Sequence, residues 1–441
     1  MKYYSTNGKA PIATLEKAVV KGLAEDKGLY MPERIKPLPK EFFDQIENLS
    51  FQEIAYTVAD AFFGEDVPAE DLKKIVYDTL AFDCPCVKVT DTIYSLELFH
   101  GPTLAFKDVG ARFMARLLQW TLSPKGEDAL SGQRGSLVNV LVATSGDTGS
   151  AVANGFLGVD GIHVYVLYPK GKVSPIQECQ FTTLGQNITA VEVDGVFDDC
   201  QALVKNAFMD ADLNAHMKLT SANSINVARF LPQAFYYFYA YAQMKKQGLA
   251  DQLVVCVPSG NFGNICSALF GKKMGLPIKR FIAANNANDI FFNYLQTGKY
   301  EPKASVQTIA NAMDVGDPSN FARVYELYGK SHEAICADIS GATYKDEQIA
   351  ETIKEVKAET GYVCDPHGAC GYRALKEGLK AGEVGVFLET AHPAKFKDTV
   401  DRILKADIEI PAKLQAFMKG TKQSVPMSKD FAAFKQFLMK Q

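Results

Sequence analysis

The sequence predicts an α/β fold of two lobes, each a largely parallel sheet flanked by helices, with a mixed N-terminal region added. Three observations predict it. From residue 137 onward, short apolar runs of strand length alternate with helix-period segments. The runs are almost continuously apolar, as in parallel strands covered on both faces. Two of them lead into loops rich in glycine and hydroxyls that open helices.

Residues 1–95 form the N-terminal region. Residues 11–21 read as a helix, with Pro11 in its first turn and Gly22 at its end. Residues 28–33 are turn-rich, and 51–61 and 69–80 are short amphipathic helices. Val87, Val89, Ile93, Tyr94, Leu96 and Leu98 make a strand-like pattern. Residues 96–225 are expected to form the smaller lobe and 226–441 the larger, with the boundary near 221–226. A helix begins at Lys107, because Phe106, Val109, Phe113, Leu117 and Trp120 share one face. A loop is expected over residues 123–135. Strands follow at 137–143, 162–167 and 188–193, with helices near 149–156, 174–184 and 197–208. In the larger lobe, strands fall at 253–257, 281–284 and 384–388, and helices at 262–273 and 229–246. The last helix carries Tyr236, Tyr237, Phe238 and Tyr239, which reads as burial on several sides. A nucleic-acid stacking platform would come with a basic groove.

A chain of 441 residues, 47% hydrophobic and 22% charged, has room for two or three ordinary globular domains. A net charge of −4 gives no pull towards nucleic acid or an anionic membrane. The first six residues lack the apolar core of a signal peptide, and no apolar run reaches the length of a membrane span. Nine cysteines without a framework read as reduced thiols of a cytoplasmic protein. Cys84 and Cys86 are too close together for ordinary metal ligation. Cys364, His367 and Cys370 lack a second ligand pair, so no metal is expected.

Three stretches carry chemistry. In His100-Gly101-Pro102-Thr103-Leu104-Ala105-Phe106-Lys107-Asp108, the lysine stands at a helix mouth beside three apolar residues. Desolvation there lowers an amine's pKa, and a neutral lysine amine is a nucleophile for carbonyls. After the strand at 137–143 come Thr144, Ser145, Gly146, Asp147, Thr148, Gly149 and Ser150. Converging N–H groups, a helix N-terminus and hydroxyl donors suit a carboxylate. After the strand at 253–257 come Ser259, Gly260, Asn261, Phe262, Gly263 and Asn264, a compact phosphate cradle by the same logic. It is neither a Walker A loop nor a dinucleotide fingerprint. One phosphorylated ligand bearing an aldehyde would use the lysine and both loops. Thr390 follows the last strand, where ligands gather in open α/β sheets.

These residues resemble the threonine synthases, pyridoxal-phosphate enzymes of fold type II. The likeness runs from residues 28–32 through Phe106-Lys107-Asp108, 144–150, Ser224-Ile225-Asn226, Arg229, 259–264, Asp365-Pro366-His367-Gly368 and 390–396. It implies that Lys107 forms the Schiff base with pyridoxal 5′-phosphate. It implies that Gly260, Asn261, Phe262, Gly263 and Asn264 hold the cofactor phosphate and that Thr390 meets the pyridine nitrogen. Residues Thr144, Ser145, Gly146, Asp147 and Thr148 would hold the substrate carboxylate, with Asn226 also at the substrate. Related enzymes carry Asn where this chain has Asp147, facing the phenolic oxygen, so Asp147 departs from the pattern among the cofactor-binding residues. The implied reaction converts O-phospho-L-homoserine and water to L-threonine and phosphate, with Lys107 moving the protons. Arg229 is the candidate for the substrate phosphate, since a planar guanidinium fork suits it. The expected partner is that small molecule, with no nucleic acid and no membrane, and the chain a monomer or homodimer. Two alternatives stay open: a hydroxyamino-acid dehydratase of the same fold, and a non-catalytic protein that binds a phosphorylated ligand.

Overall fold

A computed structural model describes residues 1–124 and 137–441. The loop expected over 123–135 therefore lies, from residue 125 on, outside the described residues. Three N-terminal strands, β1 (Lys2–Ser5), β2 (Ala13–Thr14) and β3 (Tyr30–Pro32), form an antiparallel sheet in the order β2-β1-β3. β4 (Cys86–Lys88) and β5 (Ile93–Glu97) form an antiparallel hairpin. The smaller lobe contains β6 (Val138–Ala143), β7 (Ile162–Pro169), β8 (Ile188–Asp194) and β9 (Lys218–Ser221). The larger contains β10 (Leu253–Pro258), β11 (Arg280–Asn285), β12 (Ile339–Thr343) and β13 (Val384–Glu389), and β14 (Val425–Ser428) comes last.

The six-stranded sheet runs β12-β11-β10-β13-β5-β4 and is parallel except for β4. The five-stranded sheet runs β14-β8-β7-β6-β9 and is parallel throughout. Strand membership departs from contiguous blocks at two places. β4 and β5 extend the six-stranded sheet beyond β13, and β14 crosses back to cover the edge of β8. An uncovered edge leaves a row of unpaired backbone groups, and β14 closes this one.

Local chemistry explains where elements differ from expectation. The run at 87–98 is two strands, because Thr90 Oγ1 accepts from Thr92 N at 3.3 Å and Ile93 N at 3.0 Å, closing a turn. The first helix starts at Leu15, since Ala13–Thr14 joins the sheet and Thr14 caps the helix by accepting from Lys17 N. The helix expected over 229–246 breaks at Pro232 into Val227–Phe230, a 3₁₀ turn at Leu231–Gln233, and Ala234–Lys246. Tyr236, Tyr237 and Phe238 are buried in it as expected, and Tyr239 stacks on Phe51 at 4.4 Å. Among the described residues no helix is long and apolar enough to cross a membrane. All nine cysteines are free thiols.

Arg323 joins the N-terminal sheet to the larger lobe. Its buried guanidinium donates to Tyr30 O from Nε at 3.1 Å and Nη2 at 3.0 Å. It also reaches Ser224 O, Ile225 O and Asn320 Oδ1, and packs over the Phe230 ring at 4.1 Å. Burial without a carboxylate lowers its pKa to about 9. Arg323→Leu leaves several buried carbonyls unpaired and should cost about 3 kcal/mol. The check is a lower urea midpoint at an unchanged slope, and an unchanged midpoint would refute it.

Candidate active site

The helix Lys107–Leu122 begins in a backbone held from both sides. Thr103 donates to Asp108 through N at 2.9 Å and Oγ1 at 2.6 Å. Gly101 must lack a Cβ, which would lie 2.5 Å from Asp108 Oδ2. On the other side, Phe106 N donates to Thr390 O at 2.8 Å and His392 N to Leu104 O at 3.0 Å. These bonds flank an antiparallel bridge between Ala105 and Ala391. Leu104 adopts φ 60° to make this turn. Leu104 and Ala105 pack away into small apolar clusters, while the Phe106 ring lies 5.7 Å from Lys107 Nζ. The amine's pKa falls to about 8, chiefly by desolvation. Asp147 works against the fall, and Arg229 and Lys395 reinforce it. The expected direction holds, but three charged groups invisible in the local sequence share in setting it.

The loop after β6 divides its hydroxyls between two tasks. Thr144 Oγ1 accepts from Gly146 N at 2.9 Å and Gly149 N at 2.8 Å, and Ser150 Oγ donates to Gly146 O at 2.9 Å. These two shape the loop. Ser145 and Thr148 sit half-buried at its surface. Gly146 has φ 150°, and a Cβ there would run into the Gln177 amide at 2.6 Å. Asp147 opens the helix Asp147–Phe156 and is buried. Its Oδ1 accepts from Lys395 Nζ at 2.6 Å and Gln177 Nε2 at 2.9 Å. Burial works to raise its pKa, but Lys395, Lys107 and the hydrogen bonds hold it down to about 2.

The loop after β10 enters the helix Gly263–Lys273 through Phe262 at φ 67°. The first-turn N–H groups of such a helix have no intrahelical partners. Asn264 Oδ1 accepts from Tyr236 OH and Tyr237 OH, each at 2.6 Å, and its Nδ2 is buried with no partner. The Asn261 side chain is consumed by the protein. Its Oδ1 accepts from Ser319 N at 2.8 Å and Ser319 Oγ at 2.7 Å, and its Nδ2 donates to Ser224 Oγ at 2.8 Å. Asn226 is engaged likewise: Oδ1 accepts from Ala228 N, and Nδ2 donates to Val19 O at 2.9 Å and Ser221 O at 3.2 Å. Its Oδ1 caps the turn that carries Arg229, while both Nδ2 donors tie that turn to Val19 O and Ser221 O.

Arg229 is buried rather than on a helix surface. One Nη1 contact goes to Ala222 O, and its Nε is buried with no partner. Burial lowers its pKa to about 10, opposed by Asp108. Thr390 is buried at the end of β13. Behind it lies a group that periodicity did not reveal. Glu389 Oε1 accepts from Asp365 N at 2.6 Å, while its Oε2 is buried without a partner. Burial raises its pKa well above the carboxylate range, with Asp365 adding to the rise. His367 Nδ1 donates to Asp365 Oδ2 at 2.6 Å, because its Nε2 already accepts from Ala312 N at 3.1 Å. Lys395 and Gln177 are likewise residues that spacing did not single out. A lysine among apolar neighbours two residues after Pro393 was the available signal for the former.

Models of three families match the chain: "Pyridoxal-phosphate dependent enzyme" over residues 85–389, "Threonine synthase N terminus" over 2–80, and "Threonine synthase, C-terminal" over 368–438. The threonine synthase of Haemophilus influenzae is 44% identical over 441 residues, covering 100% of both chains. The crystal structure of threonine synthase from Escherichia coli aligns with TM-score 0.90 and 42% identity over 100% of both chains. The pyridoxal-phosphate-bound threonine synthase of Brucella melitensis aligns with TM-score 0.91 and 35% identity, over 100% of this chain and 99% of that one.

The lowered amine has a direct readout. In cofactor-free protein, Lys107 should react with an amine reagent with a midpoint near pH 8, against 10.5 for an ordinary lysine. Below the midpoint the rate should fall about tenfold per pH unit as the amine gains its proton. The check is pH-dependent labelling with peptide mapping, and a midpoint above 10 would refute the reading.

Proposed function

The chain belongs to the threonine synthase family of pyridoxal-phosphate-dependent enzymes, and on that premise we propose that it converts O-phospho-L-homoserine and water to L-threonine and phosphate at the cleft containing Lys107. The observation that carries the reading is a lysine of lowered pKa close to Arg229, whose Nε, like Asn264 Nδ2 in the loop after β10, is buried without a partner.

The residues present fit the cofactor. Asn264 Nδ2 and the first-turn N–H groups of the helix Gly263–Lys273 suit its phosphate, with Gly260, Asn261, Phe262 and Gly263 contributing backbone. The Lys107 amine suits its aldehyde, and the Thr390 hydroxyl suits the ring nitrogen. Asp147 remains a candidate neighbour of the ring. Bound there, pyridoxal phosphate supplies an electron-withdrawing ring that makes the substrate's Cα proton acidic.

The chain's own residues do the rest. The N-terminus of the helix Asp147–Phe156, with Ser145, Gly146 and Thr148, holds the substrate carboxylate. Thr144 keeps that loop in shape. Arg229 holds the substrate phosphate, and Asn226 acts by capping the turn that bears it. Lys107 Nζ takes the proton from Cα, releases it, and takes one from Cβ. The C–O bond to phosphate breaks at Cγ, Lys107 delivers the Cβ proton to Cγ, a water adds its oxygen at Cβ and gives its proton to the departed phosphate, and Cα is protonated again. A general base so placed contributes about 10²–10⁴ in rate. Closure of the cleft around the substrate limits the water that reaches the reacting carbons. The reading has the enzyme in the cytoplasm, supported by its free thiols.

Lys107→Ala should lose at least about three orders of magnitude in turnover. Borohydride treatment of the cofactor-loaded protein should label Lys107, and a label on another lysine would overturn the assignment. Arg229→Ala should lower kcat/KM for O-phospho-L-homoserine about a hundredfold while leaving the cofactor's absorption spectrum unchanged. Arg229→Lys should recover only part of the loss, since the fork is gone. Normal kinetics in Arg229→Ala would remove it from the site.

A further inference from the structure

A lysine with no exposed side-chain surface is expensive unless its donors are met and its charge is paired. Lys395 is such a lysine, with 0% of its side chain exposed. It lies in the 3₁₀ turn Pro393–Phe396 that follows β13 of the six-stranded sheet. Its Nζ donates to Thr103 O at 2.8 Å, in the segment leading to Lys107, and lies 2.6 Å from Asp147 Oδ1. Asp147 follows β6 of the five-stranded sheet, so the ion pair spans the two lobes. One short helix, Pro175–Thr182, completes the set. Its Gln177 Nε2 donates to Asp147 Oδ1 at 2.9 Å, and its Gln180 Nε2 donates to Thr103 O at 3.1 Å. Every oxygen that Lys395 touches is thus fixed a second time by a glutamine.

This arrangement decides where the Asp147 carboxylate spends its charge. Three charged groups act on Lys107: Asp147, Arg229 and Lys395. Asp147 is the anion among them, and an unpaired carboxylate beside an amine favours the ammonium form. Among the described residues Lys107 makes no ion pair of its own, and Asp147 pairs with Lys395. We propose that Lys395 is a positioning residue of this active site: its ammonium captures the Asp147 carboxylate across the lobes, so that Asp147 cannot lock Lys107 in an ion pair and Lys107 keeps a free amine for the cofactor aldehyde and the substrate protons. The proposal rests on Lys107 being the reactive amine. It gives Asp147 a task that an asparagine would not need, because a neutral amide requires no cation beside it.

The experiment measures Lys107 itself, in the full chain freed of cofactor. Trinitrobenzenesulfonate labelling is followed against pH, with Lys107 resolved by peptide mapping. Lys395→Met should move the Lys107 midpoint up by about one pH unit, because Asp147 is left uncompensated. Adding Asp147→Asn to that variant should bring the midpoint back to its starting value or below. Lys395→Arg keeps the cation and should hold the midpoint within a few tenths of a unit. The pH profile of kcat/KM in the cofactor-loaded enzyme should shift in the same sense. A purely structural role would lower thermal stability and leave the midpoint in place, and that result in folded Lys395→Met overturns the proposal. If Lys395→Met does not fold, Asp147→Asn alone decides: its midpoint should fall, and an unmoved midpoint overturns the proposal. Borohydride labelling of a different lysine would remove the functional reading while leaving these midpoints interpretable, so the two failures are distinguishable.

Discussion

The site depends on one backbone contact. The Ala105–Ala391 bridge, with Phe106 N on Thr390 O and His392 N on Leu104 O, fastens the segment before Lys107 to the end of β13. A strand end in a parallel sheet is among the most fixed points of a fold, because its neighbours are hydrogen-bonded on both sides and its faces are covered. β13 lies between β10 and β5, so it is such a strand. Through the bridge, Lys107 inherits the position of the six-stranded sheet although it opens a helix outside it. The helix also packs against Asp147–Phe156, which follows β6, so Lys107 stands where both lobes meet. Gly110 permits that approach on another side. A Cβ there would lie 2.3 Å from Arg229 O, so the Arg229 turn can pack directly on the lysine helix.

The electrostatics follow from that convergence. Arg229 and Lys395 stand as cations near the Lys107 amine, with Asp147 paired to Lys395 and Asp108 acting on Arg229. Buried guanidinium and ammonium groups favour a ligand carrying phosphate and carboxylate. The orphaned donors point the same way. Asn264 Nδ2 and Arg229 Nε each carry the cost of an unmade hydrogen bond, a cost a bound anion would lift. On the far side of Thr390 the logic reverses. Glu389, Asp365 and His367 form a buried hydrogen-bonded network in which burial raises the Glu389 pKa well above the carboxylate range.

Much of this was legible in the chain. Alternating strand and helix runs, the two glycine-rich turns and the lysine at a helix mouth are local patterns. Period, glycine and hydroxyl content act within a few residues, so the sequence alone determined the α/β class and the loops after residues 143 and 258, and singled out Lys107 at a helix mouth. Short-range chemistry also explains the misplacements. The hairpin at Thr90 and the break at Pro232 are turn and proline effects overridden at first by apolar periodicity. What only the tertiary structure decided is which polar groups stay free. Asn226 and Asn261 look like ligand-binding amides in sequence, yet both are tied to distant backbone and side-chain partners. Lys395 reaches Thr103 O across 292 positions, a pairing no local pattern carries. A side chain's chemistry is written in its type, but its availability depends on which groups from elsewhere in the chain satisfy it, and that is settled only when the lobes pack.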